Sequence, residues 1–443
     1  NEPGRKAQTV GEARFFPGCR SPFLLQKGPG ASKLKANRGN TPRTRGGPAL
    51  PDRKREIIML KLLKHCDVYA PKHLGMRDIL LADEKIMLVE EEIRGYEGLE
   101  GVEVIDCGGA IVTPGLIDIH VHVTGGGGEQ GYHSRTPELN LSELLQNGVT
   151  TVLGLLGTDG TSRSLENLLG KVTALETEGI STYMLTGSYQ YPTVTLTGSV
   201  LRDIMLIDKI IGAKLAMSDH RSSTITRDEL TRLASDVNMG GMLSGKAGLL
   251  TIHTGVREGM LDPIFDALDH SDVPIETFLP THVGRNHKLL DEAIKLAKMG
   301  GNFDLTATGP KEGETAADLV KYCIQHGVDL DHVSLSSDGN GSQPRFDETG
   351  RCIGLTYVSP AVLLFELRRG VQQLEIPLED MLRLLTTSPA KRLGKEGVKG
   401  CIAPGADADL LVMDKELQIT DVFARGKRAM AGGELRMKGT FEA

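Results

Sequence analysis

Short runs of apolar and β-branched residues alternate with amphipathic stretches through the middle of the chain. Two of the amphipathic stretches, SLENLLGKVTALETEG and NHKLLDEAIKLAKMGG, end at glycine, as helices commonly do. This alternation predicts an α/β fold, a (β/α)8 TIM barrel over residues 114–395. A doubly wound open sheet also fits the alternation, but no G-x-G-x-x-G motif follows an early strand. The predicted strands are residues 117–122, 150–157, 181–189, 213–219, 248–255, 275–283, 302–307 and 333–339.

The two ends of this alternating region have a different pattern, with short strands separated by tight turns. Before the barrel come EIIMLKLLKHCDVYAP, DILLADEKIMLVEEEI and VEVIDCGGAIVTPG, and after it come PGADADLLVMD and ITDVFARGKRAMAGGE. The strands that precede the barrel form an incomplete β unit by themselves. We therefore predict a small β-sandwich domain built from both chain ends, residues 56–113 and 396–443.

The first 55 residues differ from the rest of the chain in charge. They contain 13 Lys and Arg against 3 Asp and Glu, with many Gly and Pro and no hydrophobic periodicity, so we predict a basic, disordered extension. An organelle-targeting leader and an artefactual extension upstream of the true start both fit this composition. A nucleic-acid-binding arm fits less well, because the acidic remainder of the chain would oppose it.

The composition of the whole chain is that of a soluble globular protein. Of 443 residues, 39% are hydrophobic and 25% charged, and no apolar run approaches the ~20 residues of a membrane span. The six cysteines show no C-x-x-C spacing, which argues against a zinc ribbon or a disulfide framework and favours a reducing compartment. We expect a cytoplasmic protein with neither a membrane nor a nucleic-acid partner.

Reactive side chains fall where the predicted barrel strands end. Taken singly, each has an ordinary explanation, such as a structural histidine, a surface lysine or a turn aspartate. Their joint position on one barrel face instead favours a metal site, because imidazole and carboxylate groups suit Zn²⁺ and similar ions. Two ions about 3.5–4 Å apart can share a water and lower its pKa. The residues are His120, His122, Lys214, His253, His282 and Asp338.

Several motifs resemble one known family. They are TPGLIDIHVHVTGGGGEQG, TGSYQYP, GAKLAMSDHRSS, THVGRN, LSSDGNGSQP and the terminal GCIAPGADADLLVMD. Together they are similar to the amidohydrolase superfamily of binuclear metal hydrolases and, within it, to the isoaspartyl (β-aspartyl) dipeptidases. The resemblance covers the chain from about Glu56 to the C-terminus. It implies hydrolysis of an aspartyl side-chain peptide bond by a hydroxide that bridges two divalent ions, with Zn²⁺ preferred and Mn²⁺, Co²⁺ or Fe²⁺ compatible.

The resemblance also assigns roles to the metal-site residues. His120 and His122 would hold the more buried ion together with Asp338, and His253 and His282 would hold the other. Lys214, carboxylated by CO₂, would bridge the two ions. Asp338 would act as general base, and Tyr189 would polarise the scissile carbonyl and stabilise the oxyanion.

The implied substrate is a small dipeptide with a free α-amine and two carboxylates. Glu129 would pair with the amine, and the guanidinium groups of Arg221 and Arg285 would bind carboxylates. The glycine run before Glu129 would let the chain double back over the barrel mouth. The remaining predicted substrate contacts are Gly127, Thr158, Tyr189 and Ser342.

Two alternatives remain beside this interpretation. The first is another amidohydrolase, of the hydantoinase, dihydroorotase or N-acyl amino acid deacylase type, against which Glu129 argues because such substrates have no free ammonium. The second is a catalytically inactive scaffold of the same fold, which the presence of all six ligand-type residues disfavours. The resemblance further implies a homo-oligomer, typically an octamer.

Overall fold

The computed structural model describes residues 59–346 and 352–442, so the basic extension predicted for residues 1–55 lies outside the described residues. The strands are β1 Leu60–Tyr69, β2 His73–Ala82, β3 Lys85–Glu90, β4 Val102–Asp106, β5 Ile111–Pro114, β6 Leu116–Val121, β7 Val149–Gly154, β8 Ser181–Gly187, β9 Ile210–Met217, β10 Leu249–Thr254, β11 Phe278–Thr281, β12 Phe303–Thr306, β13 Val333–Ser336, β14 Ser342–Phe346, β15 Cys352–Tyr357, β16 Leu410–Met413, β17 Ile419–Ala424, β18 Lys427–Ala431 and β19 Glu434–Leu435.

Strands β6 to β13 form the barrel. They pair in parallel and in sequence order, and a bridge between Val121 and Gly339 joins the first strand to the segment after the last. Their residues are almost all buried, because one face meets the barrel interior and the other meets the surrounding helices, so the strands appear in the sequence as nearly continuous apolar runs. The predicted (β/α)8 barrel is confirmed. The sixth strand is shorter than predicted, since Ile275–Thr277 forms a 3-10 turn before it.

Helices follow most of the barrel strands. Helix α4 starts with a capping box, in which the Thr226 side chain accepts a hydrogen bond from the backbone of Glu229. Among the helices described, none combines the length and the hydrophobicity needed to cross a lipid bilayer. The helices are α1 Leu141–Leu145, α2 Leu165–Glu178, α3 Val200–Leu206, α4 Arg227–Ser244, α5 Asp262–Asp269, α6 His287–Lys298, α7 Ala316–Gln325, α8 Ala361–Gln372, α9 Leu378–Leu385 and α10 Thr387–Arg392.

A second sheet contains strands from both ends of the described chain. Its strand order is β19-β18-β17-β16-β5-β1-β2-β3, with β4 paired to β1. The two ends meet where β5 pairs antiparallel with β16, with Ile111 opposite Met413. Side chains from both ends, including Leu63, Ile79 and Phe423, share one buried core. The predicted small β domain is therefore confirmed, whereas its exact boundaries at residues 113 and 395 stay a prediction.

Candidate active site

Six side chains that the sequence predicts as metal ligands lie together at the C-terminal ends of the barrel strands. Nε2 of His122 is 3.1 Å from Oδ1 of Asp338, and Nε2 of His120 is 3.5 Å from the same oxygen. The ring centroid of His282 is 4.9 Å from that of His120 and 4.5 Å from that of His253. These distances bring histidines from β6, β10 and β11 into one cluster with an aspartate that follows β13.

The protonation states of these groups suit a metal ion. Burial holds the pKa of His120 and of His282 well below the usual value and lowers the pKa of His253 to about 3. Burial alone would raise the pKa of Asp338, but the hydrogen bond from His122 helps to hold it below its usual value. The site therefore combines neutral imidazoles with a carboxylate, which are the forms that coordinate divalent cations.

Buried ring nitrogens in the cluster are a second observation that fits a bound cation. His120, His122 and Asp338 each offer a ligand atom, and these atoms lie within 4.8 Å of one another. Nδ1 of His282 is 2.7 Å from the Thr306 hydroxyl, while its buried Nε2 has no hydrogen-bond partner in the described part of the chain. A buried ring nitrogen without a partner is costly. The donor set therefore fits a bound metal ion.

Lys214 lies in β9 and is fully buried beside the histidines. Its Nζ atom is 3.1 Å from Nε2 of His120. Burial is the main reason why the pKa of Lys214 falls to about 7. The neutral amine, which is the form that reacts with CO₂, is consequently well populated near neutral pH.

Tyr189 lies just after β8, with its ring buried against the same cluster. Its hydroxyl oxygen is 2.6 Å from Nδ1 of His253, and the ring centroids of the two residues are 4.4 Å apart. Burial raises the pKa of the Tyr189 phenol above its usual value, so the hydroxyl keeps its proton. Tyr189 is therefore a hydrogen-bond donor beside the cluster.

Glu129 faces the site from the loop after β6. Its Oε1 atom accepts a hydrogen bond from the Thr158 hydroxyl at 3.0 Å, and its Oε2 atom accepts one from the Ser342 hydroxyl at 3.2 Å. Nη1 of Arg221 is 3.4 Å from Oε1. Four residues predicted to bind substrate therefore meet around one carboxylate.

Besides Tyr189, two further residues predicted to bind substrate, Arg285 and Gly127, lie beside this group. Nη2 of Arg285 is 3.3 Å from Nε2 of His253, which puts this guanidinium at the edge of the histidine cluster. Gly127 lies in the Glu129 loop, where it forms a bridge with Arg135, and a Cβ atom there would lie 3.1 Å from Cβ of Ser342. The structure thus brings all the predicted site residues to one end of the barrel, while their individual roles stay predictions.

The glycine run before Glu129 is closely packed. Gly125 has a φ of 86°, and a Cβ atom on it would lie only 2.4 Å from the carbonyl oxygen of Thr136. The buried guanidinium of Arg163 donates hydrogen bonds to the carbonyls of Thr124, Gly126 and Thr136. Glycine is needed here for both conformation and space. No pattern along the chain distinguishes Arg163, because an arginine in a polar loop looks like a solvated residue.

Three buried aspartates near the cluster were also missed. Asp118 accepts hydrogen bonds from the backbone N–H groups of His120 and Ser337, and burial raises its pKa to about 7. Asp304 is likewise buried, and burial raises its pKa to about 6. Two patterns in the sequence indicate these two aspartates. Asp118 shares the period-2 spacing of His120 and His122, and Asp304 lies inside the apolar run NFDLTAT. Asp219, two residues after β9, lies near a strand end like the predicted ligands.

Comparisons with known proteins agree on the family. The amidohydrolase family model matches residues 111–431. The structure of a β-aspartyl dipeptidase from Fervidobacterium islandicum AW-1 in complex with β-Asp-Leu dipeptide is 41% identical, with a TM-score of 0.82, and the match covers 87% of this chain and 99% of that chain. A dihydroorotase from Lactobacillus johnsonii is 23% identical over 81% of this chain and 90% of its own length.

More distant structures share the fold. A dihydropyrimidinase from Brevibacillus agri NCHU1002 is 15% identical, with a TM-score of 0.54, over 86% of this chain and 97% of that chain. Identity is thus much higher to the β-aspartyl dipeptidase than to the dihydroorotase or the dihydropyrimidinase. The chain belongs to the amidohydrolase family of hydrolases and, within it, groups with the β-aspartyl dipeptidases.

Proposed function

We propose that this enzyme hydrolyses the isopeptide bond of β-aspartyl (isoaspartyl) dipeptides at a centre of two divalent metal ions. The observation that carries the proposal is Glu129, whose two carboxylate oxygens are held by hydroxyl groups at the mouth of the histidine cluster. A free α-amine on the substrate would be a strong partner for this carboxylate. Cyclic amides and N-acyl amino acids have no such ammonium, so Glu129 favours a dipeptide over those substrates.

The two arginines support the same substrate class. Arg221 and Arg285 both approach His253, with Nη2 atoms 3.2 Å and 3.3 Å from its Nε2 atom. Guanidinium groups bind carboxylates through paired hydrogen bonds, and a β-aspartyl dipeptide has two carboxylates. One anionic and two cationic groups around the mouth match the charges of this zwitterionic substrate.

The metal ligands follow from the cluster. His120, His122 and Asp338 would hold one ion, His253 and His282 the other, and a carbamate on Lys214 would join them. Zn²⁺ suits this set of imidazole and oxygen ligands. Such ions, when bound, polarise a carbonyl group and lower the pKa of water. All six ligand-type side chains converge, which disfavours an inactive scaffold.

Two side chains would act on protons during hydrolysis. The Tyr189 hydroxyl, which keeps its proton, would donate a hydrogen bond to the carbonyl oxygen as negative charge develops there. The Asp338 carboxylate would take the proton from the attacking water and pass it to the leaving amine. Glu129 and the two arginines would hold the substrate without exchanging protons.

A homo-oligomer and a cytoplasmic location belong to the same proposal, and the family resemblance suggests an octamer. Large apolar side chains on the outer helices α3 and α4 support subunit contacts. Leu206, Met242 and Leu243 are 60%, 64% and 58% exposed in the single chain. Side chains of this kind are often covered in oligomers.

The proposal is tested by comparing three substrates at known metal content. The enzyme loaded with Zn²⁺ is assayed with β-Asp-Leu, α-Asp-Leu and a hydantoin. We expect turnover of the β-linked peptide, with kcat/KM for the α-linked isomer at least roughly 100-fold lower, because the α-linked backbone misplaces the amine and carboxylates. Equal turnover of the two peptides would contradict the specificity, and faster turnover of the hydantoin would favour the cyclic-amide alternative.

A further inference from the structure

Asp219 lies among the predicted site residues. It lies two residues after the end of β9, and its side chain is 4% exposed. Its Oδ1 atom accepts hydrogen bonds from the backbone N–H and from Nε of Arg221, both at 2.9 Å, and its Oδ2 atom accepts one from Nη2 at 3.0 Å. This bidentate contact leaves Nη1 of Arg221 to face Glu129 at 3.4 Å. Asp219 therefore fixes which edge of the guanidinium faces the site.

The same carboxylate reaches the second arginine. Nη1 of Arg285 is 3.6 Å from Oδ2 of Asp219. The two guanidinium groups both approach one ring nitrogen of His253, so their positive charges lie close together. An anion between them offsets this repulsion. Without Asp219, the two arginines would be expected to separate.

Asp219 also contacts a predicted metal ligand. Its Oδ2 atom is 3.0 Å from Nε2 of His253, closer than either guanidinium. Asp219 and both guanidinium groups thus converge on Nε2 of His253, whereas its Nδ1 atom faces Tyr189. A carboxylate that orients a ligating histidine in this way is a common partner of metal sites.

We propose that Asp219 is a positioning residue that holds the two carboxylate-binding arginines and the metal ligand His253 in one arrangement. The proposal rests on the proposed function, since it assigns Arg221 and Arg285 to substrate carboxylates. A single carboxylate then sets the distance between the part of the site that recognises the substrate and the part that cleaves it.

The chain offers a matched control in Asp203. This aspartate is also fully buried and accepts hydrogen bonds from Thr186, Thr197 and the backbone of Leu196. Its described contacts include none of the predicted site residues. Replacing it with asparagine should therefore affect the fold alone.

The test uses Asp219→Asn and Asp203→Asn in the metal-loaded enzyme. The substrates are β-Asp-Leu and two analogues, each with one of its carboxylates converted to an amide. For Asp219→Asn we expect kcat/KM for β-Asp-Leu to fall about 10–100-fold, chiefly through KM, as is typical when the partner of a ligating histidine is lost. The ratio of kcat/KM for β-Asp-Leu to kcat/KM for each amide analogue should fall about tenfold, because misaligned arginines no longer select carboxylates. Asp203→Asn should lower Tm and change kcat/KM for all three substrates by the same factor.

A binding measurement separates this proposal from the proposed function. L-Aspartate is titrated calorimetrically into the wild-type enzyme and both variants, with metal content recorded. We expect about tenfold weaker binding to Asp219→Asn and unchanged binding to Asp203→Asn. If the wild type binds aspartate but does not cleave β-Asp-Leu, weaker binding to Asp219→Asn supports the positioning role while the proposed function fails. Unchanged aspartate binding, an equal loss on all three substrates, or no binding by the wild type would overturn the positioning role.

Discussion

The histidines on the floor of the site and the glutamate on its rim are held in place by different means. The floor, which we define as His120, His122, His253 and His282, comes from barrel strands or the residue directly after them. The rim, residues 124–136 with Glu129, is a loop whose shape depends on positive φ at glycines and on carbonyls bound by Arg163. The floor is set by alternation along strands, whereas the rim is set by contacts between distant segments.

We expect the floor and the rim to have different functions in the site. Strand-end histidines are compatible with many hydrolytic reactions, because a metal ion activates water whatever the substrate is. Under the proposed function, selection of one substrate would depend on Glu129 and the arginines, which are held by Thr158, Ser342 and Asp219. Changes in the floor should therefore abolish chemistry in general, and changes in the rim should alter which molecule is cleaved.

The largest effect should come from removing a ligand on the floor. His122→Ala removes the imidazole whose Nε2 atom is 3.1 Å from Asp338. We expect kcat/KM for β-Asp-Leu to fall at least roughly a thousandfold, because the activated water is lost, with a matching loss of bound metal by elemental analysis. His287→Ala, at an exposed histidine that contacts Glu314, is the control and should keep metal and activity. Full metal content in His122→Ala would remove this histidine from the ligand set.

A change on the rim should be smaller and more selective. Glu129→Gln preserves the shape of the side chain and one accepting oxygen, but it removes the negative charge that would pair with the substrate ammonium. We expect kcat/KM for β-Asp-Leu to fall roughly 100-fold. Metal content and Tm should stay as in the wild type, measured by elemental analysis and calorimetry. Loss of metal would instead identify Glu129 as a ligand and would erase the distinction between floor and rim.

The smallest effect should come from the glycines that shape the rim. Gly125 and Gly128 both have positive φ, 86° and 102°, so alanine at either position should cost about 1 kcal/mol of folding free energy. At Gly125 the new Cβ atom would also lie 2.4 Å from a carbonyl oxygen, whereas at Gly128 its nearest neighbour would be a side-chain carbon of Arg135 at 3.5 Å. Gly125→Ala should therefore lower Tm more and raise KM several-fold. Equal changes in both variants would show that close packing of the loop is unimportant.

The strands and their reactive side chains could be predicted because both leave a local pattern. Barrel strands buried on both faces appear as apolar runs, and Lys214 was conspicuous as a lysine inside one of them. The roles of Arg163 and Asp219 could not be predicted in the same way, although Asp219 lies just past the end of a barrel strand, like the predicted ligands. Their importance comes from partners in distant segments, such as the carbonyl of Thr136 and the ring of His253, which no spacing along the chain records.

Pairing between β5 and β16 has a consequence for the order in which the protein is built. β5 leads directly into β6, the strand that carries His120. One edge of β5 pairs with β1, and the other edge is covered only once β16 has been made. During synthesis, β16 leaves the ribosome about 300 residues after β5, and an uncovered strand edge favours aggregation in the meantime. We infer that the nascent barrel needs protection until β16 emerges, and that its first predicted metal ligands are fixed only after β16 has paired with β5.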